Sequence, residues 1–113
     1  MASRLFIYGT LKRGQVNHHL LAEESYLGPA TTLPRFRLLN LGWYPGLALC
    51  EDKGRAIEGE LWEVSDACLE ALDAYEGSEY ERRMIEVQPE TSDVQAYILR
   101  QPDWSRPDAG TCF

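Results

Sequence analysis

The amino-acid sequence contains few of the features that assign a chain to a class immediately. No apolar run approaches the ~20 residues of a membrane-spanning helix, and the short run that follows Arg4 is not a signal-peptide core. Cysteine is scarce, because Cys50, Cys68 and Cys112 are odd in number, widely spaced and without a C-x-x-C pattern. Neither a disulfide framework nor a zinc site is indicated, and we expect a cytoplasmic protein without a membrane partner.

Positive charge is also in short supply. The chain has 11 Lys and Arg against 18 Asp and Glu, a formal net charge of -7. The pairs Lys12–Arg13 and Arg82–Arg83 are too short to form a basic stripe along a phosphate backbone, so nucleic acid is not an expected partner. The G-x-S-x-G, P-loop and dinucleotide-binding signatures are absent as well, as is a Cys–His pair with supporting spacing.

What is present is the composition of a folded domain. Hydrophobic residues make up 44% of the 113, aromatic residues 11% and charged residues 26%, far from the core-poor balance of a disordered chain. This length suits one domain. We therefore expect a single domain over residues 1–113, with an irregular segment at 102–113 that contains two prolines and no periodic pattern.

Apolar and β-branched runs predict about six strands, separated by residues that favour turns. They are expected at 4–8, 26–33, 36–41, 56–64, 80–88 and 94–101. The segment Gly42–Gly46 contains two glycines and a proline, and we predict a turn there. Several strands with two helices favour an α+β fold whose sheet curls partly closed to protect its edges.

Two helices are predicted beside these strands. Asn17 is a candidate N-cap for a short helix that closes near Glu24. The clearer helix runs over Asp66–Glu76, because Ser65 suits its N-cap and Gly77 suits the left-handed conformation that ends many helices.

The second helix carries the first candidate catalytic residue. On a helical wheel Leu69 and Leu72 define the buried face, and Glu76 falls between them. A carboxylate that faces the core at the negative end of a helix is destabilised as an anion. Its pKa should therefore rise toward the range of a general acid or base. In the alternative, the helix end frays and Glu76 is solvated or pairs with Arg82.

Glycine and proline residues could shape a pocket at three places. Tyr8-Gly9-Thr10-Leu11 leaves the first strand, and Gly9 could take backbone angles that let successive N–H groups converge on an anion, although an ordinary turn explains the same residues. Tyr44–Pro45 could be a cis bond in a pocket wall or a plain trans turn. Gly59 in mid-strand indicates either the close approach of a ligand or backbone, or a bulge.

Taken together, the residues Tyr8–His18 (YGTLKRGQVNH) closely resemble the opening motif of the gamma-glutamylamine cyclotransferases, within the wider gamma-glutamylcyclotransferase-like family. The resemblance extends from Leu5 to about Leu99. It continues through Tyr44-Pro45-Gly46, Glu58–Trp62 and Leu72–Gly77, followed by Tyr80 and Arg82.

The resemblance implies a small mixed β-barrel with flanking helices, and an active site that joins the first-strand loop to one essential glutamate. That glutamate matches Glu76. The loop of the family holds a gamma-glutamyl group by its α-carboxylate, and no metal or organic cofactor is implied. The matching substrate-binding positions in this chain are Tyr8, Gly9, Thr10 and Leu11 of the loop, with Tyr44, Pro45 and Tyr80 near the pocket.

The implied reaction is intramolecular and acts on a small gamma-glutamyl compound. The α-amine attacks the γ-carbonyl carbon, 5-oxoproline forms and the other amine leaves. Two alternatives stay open: a module that binds a gamma-glutamyl or other small carboxylate without turnover, and an amide hydrolase or acyl transferase in which water or another amine attacks. A buried Glu76 favours an enzyme, because a pocket for an anion gains nothing from a second buried carboxylate.

Overall fold

The structure is a computed structural model that describes residues 2–113. Its chain forms eight strands and one α-helix, α1 (Asp66–Glu76). Short 3-10 turns lie at His18–Leu21 and Gly77–Glu79. The strands are β1 (Ala2–Ile7), β2 (Ser25–Thr32), β3 (Phe36–Asn40), β4 (Pro45–Leu49), β5 (Glu58–Ser65), β6 (Tyr80–Ile85), β7 (Val87–Gln88) and β8 (Val94–Leu99).

The strands form one mixed sheet that curls into a half-barrel. Their order is β3-β4-β8-β1-β5-β2-β7, and β6 also pairs with β8. β1 is central, antiparallel to β5 from Ala2↔Ser65 to Ile7↔Glu60 and parallel to β8. The predicted α+β fold with a partly closed sheet is confirmed, with eight strands in place of about six.

β8 pairs with three strands, and two of these share one of its edges, so the sheet divides into two branches there. β6 runs along the whole of one edge of β8. The other edge is shared, because β1 pairs with Val94 and Gln95 whereas β4 pairs with Ile98. β1 and β4 therefore diverge near the middle of β8.

The buried side chain of Tyr8, the residue after β1, reaches across this fork. Its hydroxyl donates a hydrogen bond to the Tyr97 carbonyl oxygen on β8 (2.7 Å) and accepts one from the Leu47 N–H on β4 (3.2 Å). A buried backbone group without a partner costs free energy comparable to a lost hydrogen bond. The Tyr8 hydroxyl thus supplies partners for two backbone groups at the place where β1 has left β8.

Alternate residues of β1 enter two apolar cores, because successive side chains of a strand point to opposite faces of the sheet. Leu5 and Ile7 belong to the core that contains Leu69 and Leu72 of α1. Phe6 belongs to the second core. Burial on both faces explains why the sequence of β1 is apolar without alternation.

The helix α1 begins and ends where the sequence predicts. The Ser65 hydroxyl accepts a hydrogen bond from the Cys68 N–H (3.1 Å), and Gly77 follows the helix with a φ of 70°. Leu69 and Leu72 are its buried residues, as the helical wheel predicts. No helix in residues 2–113 has the length and apolar character needed to cross a membrane.

The other predicted helix is a single 3-10 turn at His18–Leu21. Asn17 precedes it but makes no side-chain capping bond. Its amide instead donates to the Thr10 hydroxyl (3.0 Å). The predicted short helix is therefore present as a 3-10 turn that ends at Leu21, and the capping bond predicted for Asn17 is absent because its amide bonds to the neighbouring loop.

One predicted turn and one predicted strand also need correction. The predicted turn at Gly42–Gly46 ends two residues early, because Pro45 begins β4. A Cβ on Gly46 would lie 2.5 Å from Leu99 Cδ1, so this glycine is required by strand packing. The predicted strand at 80–88 is divided, since β6 pairs with β8 while β7 pairs with β2.

Gly59 lies against the backbone of β1. A Cβ there would collide with the Ile7 carbonyl oxygen and lie 2.6 Å from Phe6 Cζ. The irregular register of the β2–β5 pair falls between Tyr26 and Gly28, away from Gly59. Of the two explanations for Gly59, close backbone approach is the correct one.

The second half of the irregular segment at 102–113 is tied to the sheet, from Pro107 onward. The Ala109 N–H donates to the Leu38 carbonyl oxygen and the Glu58 N–H donates to the Thr111 carbonyl oxygen, both at 2.7 Å. An ion pair joins Arg37 to Asp108 at 2.6 Å. Ala109 and Phe113 of this segment pack against the second core.

We predict that Tyr8→Phe destabilises the fold by about 1–3 kcal/mol, because two buried backbone groups lose their partner. Tyr26→Phe is the matched control: it removes the hydroxyl of a half-buried tyrosine that accepts from exposed Arg13 (3.0 Å), and should cost less than about 0.5 kcal/mol. Urea unfolding measures both. Equal losses in the two variants would contradict the role given to the Tyr8 hydroxyl.

Candidate active site

A cavity of about 300 Å³ opens where β1 and β4 diverge. Its walls come from the loop after β1, the connection between β3 and β4, and the end of α1. All eight residues that the sequence suggested for the site line this cavity: Tyr8, Gly9, Thr10, Leu11, Tyr44, Pro45, Glu76 and Tyr80. The structure thus brings them together, and their roles in binding or catalysis stay predictions.

The loop Gly9–Leu11 presents three backbone N–H groups that have no acceptor within residues 2–113. Its carbonyl groups, in contrast, are all bonded. Lys12 N–H donates to the Gly9 carbonyl oxygen (3.0 Å) and Asn17 N–H to that of Thr10 (2.9 Å), while His18 Nδ1 lies 3.0 Å from that of Leu11. Because the carbonyls are held by the surrounding chain, the loop offers donors at the cavity, an arrangement suited to an anion.

Gly9 fits this loop for a reason different from the one expected. Its φ is outside the left-handed region, so the expectation of a backbone conformation reserved for glycine was wrong. A Cβ at this position would lie 3.0 Å from Cγ and 3.2 Å from Cδ of Pro45. The close approach of Pro45 therefore favours glycine at this position. The Tyr44–Pro45 bond is trans, since Gln88–Pro89 is the one cis bond within residues 2–113.

Glu76 is the last residue of α1 and is half-buried in the cavity wall. Its carboxyl group makes no hydrogen bond or ion pair within the part of the chain that the structure describes. Burial, followed by the negative charge of Glu79, raises its pKa from 4.5 to about 7. A carboxyl group in this range is populated in both protonation states near neutral pH, as general acid and base catalysis requires.

Arg82 does not neutralise Glu76. Its guanidinium pairs with Asp73 instead, at 3.1 Å. The same Asp73 carboxylate accepts a hydrogen bond from the Tyr97 hydroxyl at 2.6 Å. The alternative in which Glu76 pairs with Arg82 is therefore not what the structure has.

Three tyrosines of the cavity wall stay protonated. Burial raises the pKa of Tyr8, and the negative charge of Glu76 raises it further. Burial likewise raises the pKa of Tyr80 and Tyr97. Tyr80 holds Pro45 in place, because its hydroxyl donates to the Pro45 carbonyl oxygen at 3.0 Å. These hydroxyls build the cavity, whereas Glu76, with its pKa raised to about 7, is suited to exchange protons there.

The structure adds lining residues that the sequence did not suggest. Among them are Trp43, Tyr75, Glu79 and Tyr97. Glu79 stands three residues after Glu76 and accepts a hydrogen bond from the Tyr44 hydroxyl at 3.2 Å. It escaped notice because Gly77 marked the end of the helix, whereas the chain continues as a 3-10 turn over Gly77–Glu79.

Known proteins resemble this chain along most of its length. A family model for "Gamma-glutamyl cyclotransferase, AIG2-like" matches residues 5–111. The chain is 36% identical over 94 residues to a gamma-glutamylaminecyclotransferase of Rattus norvegicus, a match that covers 75% of this chain and 63% of the rat protein. It is 31% identical over 101 residues to the gamma-glutamylcyclotransferase family protein YtfP of Escherichia coli (strain K12), covering 88% and 84%.

The fold has a close counterpart among solved structures. A crystal structure of an AIG2-like protein from Mus musculus matches with a TM-score of 0.87 and 28% sequence identity. The match covers 99% of this chain and 88% of the mouse chain.

We predict that Glu76→Gln stabilises the fold above pH 7. The raised pKa means that the folded state binds the proton of Glu76 more tightly than the unfolded state, so this group lowers stability as pH rises from about 4.5 to about 7. The variant should gain on the order of 1–3 kcal/mol at pH 8 and nothing at pH 4. Glu70→Gln on the exposed side of α1 is the control, and denaturant unfolding across a pH series is the measurement. Equal curves for the two variants would show that Glu76 titrates normally.

Proposed function

The chain belongs to the gamma-glutamyl cyclotransferase, AIG2-like family, and from that membership we propose that it releases 5-oxoproline and a free amine from a gamma-glutamyl amine. One observation carries the proposal. Gly9, Thr10 and Leu11, whose N–H groups have no acceptor within residues 2–113, line the same cavity as Glu76. The loop can thus bind a carboxylate of the substrate, and Glu76 is available in the same cavity to transfer a proton.

In the proposed reaction the Glu76 carboxylate removes a proton from the substrate's α-ammonium group, which cannot attack until it is deprotonated. The α-nitrogen then forms a bond with the γ-carbonyl carbon, and the bond from that carbon to the leaving nitrogen breaks. The two protons that the α-nitrogen loses balance the two that the leaving amine gains. Glu76, with a pKa of about 7, is suited both to accept and to return a proton.

The loop Gly9–Leu11 has a positioning task in this proposal. Its N–H groups hold the α-carboxylate and so bring the α-nitrogen close to the γ-carbonyl carbon of the same molecule. Such positioning lowers the barrier because the reacting groups no longer have to find each other. The rigid setting of the loop supports this role, since its three carbonyl groups are all bonded to the surrounding chain.

The attack by the substrate's own amine separates this function from amide hydrolysis. We predict that a panel of gamma-glutamyl amines yields 5-oxoproline, detected by mass spectrometry, and that the N-acetylated forms of the same compounds are inert. Acetylation keeps the α-carboxylate and the scissile amide but removes the nucleophile.

Free glutamate as the product would point to hydrolysis. Cleavage of an N-acetylated compound as fast as its parent would likewise overturn the cyclisation. Binding of the parent compounds without any product would favour the module that binds without turnover.

A further inference from the structure

Glu60 is a partly buried carboxylate on β5 that does not line the cavity. It pairs with Ile7 across the β1–β5 ladder, two residues before the loop Gly9–Leu11 begins. Its side chain is only 13% exposed. A charged group that is largely removed from water needs hydrogen-bond partners, and the partners of Glu60 indicate what it does.

Two donors meet on one oxygen of Glu60. Its Oε1 atom accepts a hydrogen bond from the backbone N–H of Arg13 and another from the indole N–H of Trp62, each at 3.1 Å. Trp62 is 4% exposed and belongs to the core that contains Leu5 and Ile7. The indole therefore fixes the carboxylate, and the carboxylate fixes the backbone of Arg13.

The bond to Arg13 ties the loop to the sheet. The other backbone hydrogen bonds of Gly9–Asn17 connect these residues to one another or to the 3-10 turn that follows. Within residues 2–113, the bond from Arg13 to Glu60 is the one hydrogen bond that joins the backbone of this segment to a strand. The side chain of Leu11, buried in the first core, is a second attachment.

The segment Lys12–Gln15 is a tight turn. The Gln15 N–H donates to the Lys12 carbonyl oxygen at 3.0 Å. Gly14, in the third position, has a φ of 83°, whereas the φ of Arg13 is not positive. These are the features of a type II turn, in which proline is common at the second position. Proline at position 13 would therefore suit the turn and would remove only the backbone donor to Glu60 and the arginine side chain.

We propose that Glu60 is a positioning residue for the substrate carboxylate, a step that rests on the proposed function. Through the Arg13 N–H it holds the loop Gly9–Leu11 in the conformation whose free N–H groups bind that carboxylate. Without this tether the substrate itself would have to order the loop, which costs affinity. Because Glu60 lies outside the cavity lining, proton transfer by Glu76 is unaffected.

Glu60 acts in this proposal as a hydrogen-bond acceptor and not through its charge. A carboxylate near a site for an anion repels that anion, so the charge of Glu60 cannot favour substrate binding. Glutamine would keep an oxygen in the place of Oε1 and hence both donors. It would lose the 3.4 Å contact of Oε2 with Arg13 Nε, and such exposed ion pairs contribute little.

The test measures kcat and KM for 5-oxoproline formation, with whichever gamma-glutamyl amine of the panel reacts fastest. Arg13→Pro and Arg13→Ala are a matched pair, because both remove the arginine side chain and only the first removes the N–H. We expect the KM of Arg13→Pro to exceed that of Arg13→Ala by about 3- to 30-fold, with kcat equal within about twofold. Arg13→Ala itself should resemble the wild type.

A second pair approaches the same bond from the other side. Glu60→Gln should keep the wild-type KM, whereas Glu60→Ala should raise it as Arg13→Pro does. Glu63→Ala removes an exposed carboxylate from the same strand and should leave both constants unchanged. Urea unfolding establishes that each variant is folded, and the Arg13 pair decides alone if Glu60→Ala is not.

Equal KM values for Arg13→Pro and Arg13→Ala, or a loss confined to kcat, would overturn the inference and leave the proposed function standing. So would a KM of Glu60→Gln raised as far as that of Glu60→Ala. If the wild type binds compounds of the panel without forming 5-oxoproline, the proposed function fails, and calorimetric Kd values of the same variants decide the inference by the same ratios. If the wild type neither binds nor converts any of them, both are overturned.

Discussion

The buried hydroxyl of Tyr8 is the interaction on which the rest of the site depends. It bridges β8 and β4 at the fork where β1 leaves the sheet, and it does so from the residue that immediately precedes the loop Gly9–Leu11. The same contact therefore fixes the start of the loop and the position of β4. Pro45 at the start of β4 in turn packs on Gly9 and is held by Tyr80. The hydrogen bonds of this hydroxyl satisfy two backbone groups at the fork of the sheet, and they also shape the cavity.

The electrostatics of the cavity follow from its construction. Three of its tyrosines, Tyr8, Tyr80 and Tyr97, use their hydroxyls in structural hydrogen bonds, and burial raises the pKa of each. The charges that remain on its wall are the carboxylates of Glu76 and Glu79. Because no cation offsets them there, burial and mutual repulsion favour the protonated form of Glu76, and its pKa rises to about 7. Neutral backbone N–H groups are then the donors that the cavity can offer to an anion.

Local patterns of the sequence were sufficient for β1, α1 and the inward direction of Glu76, because a buried strand and a capped amphipathic helix are encoded by adjacent residues. They were insufficient for β4, whose first two residues read as a turn and which pairs both with β3 and with the distant Ile98. The packing that favours glycine at position 9 could not be derived either, since it comes from Pro45, far along the chain. Glu79 was hidden for a similar reason, because its relation to the cavity depends on a turn beyond the end of the helix.

The central claim is that Glu76 transfers the proton, and the most direct test is the rate of 5-oxoproline formation by Glu76→Gln. Glu70→Gln serves as the control, and substrate binding is measured in parallel by calorimetry. Glutamine keeps the size of the side chain but cannot exchange the proton. The account predicts a rate lower by about 10²- to 10⁴-fold with binding retained, and a control indistinguishable from the wild type. Turnover by Glu76→Gln at the wild-type rate would contradict it.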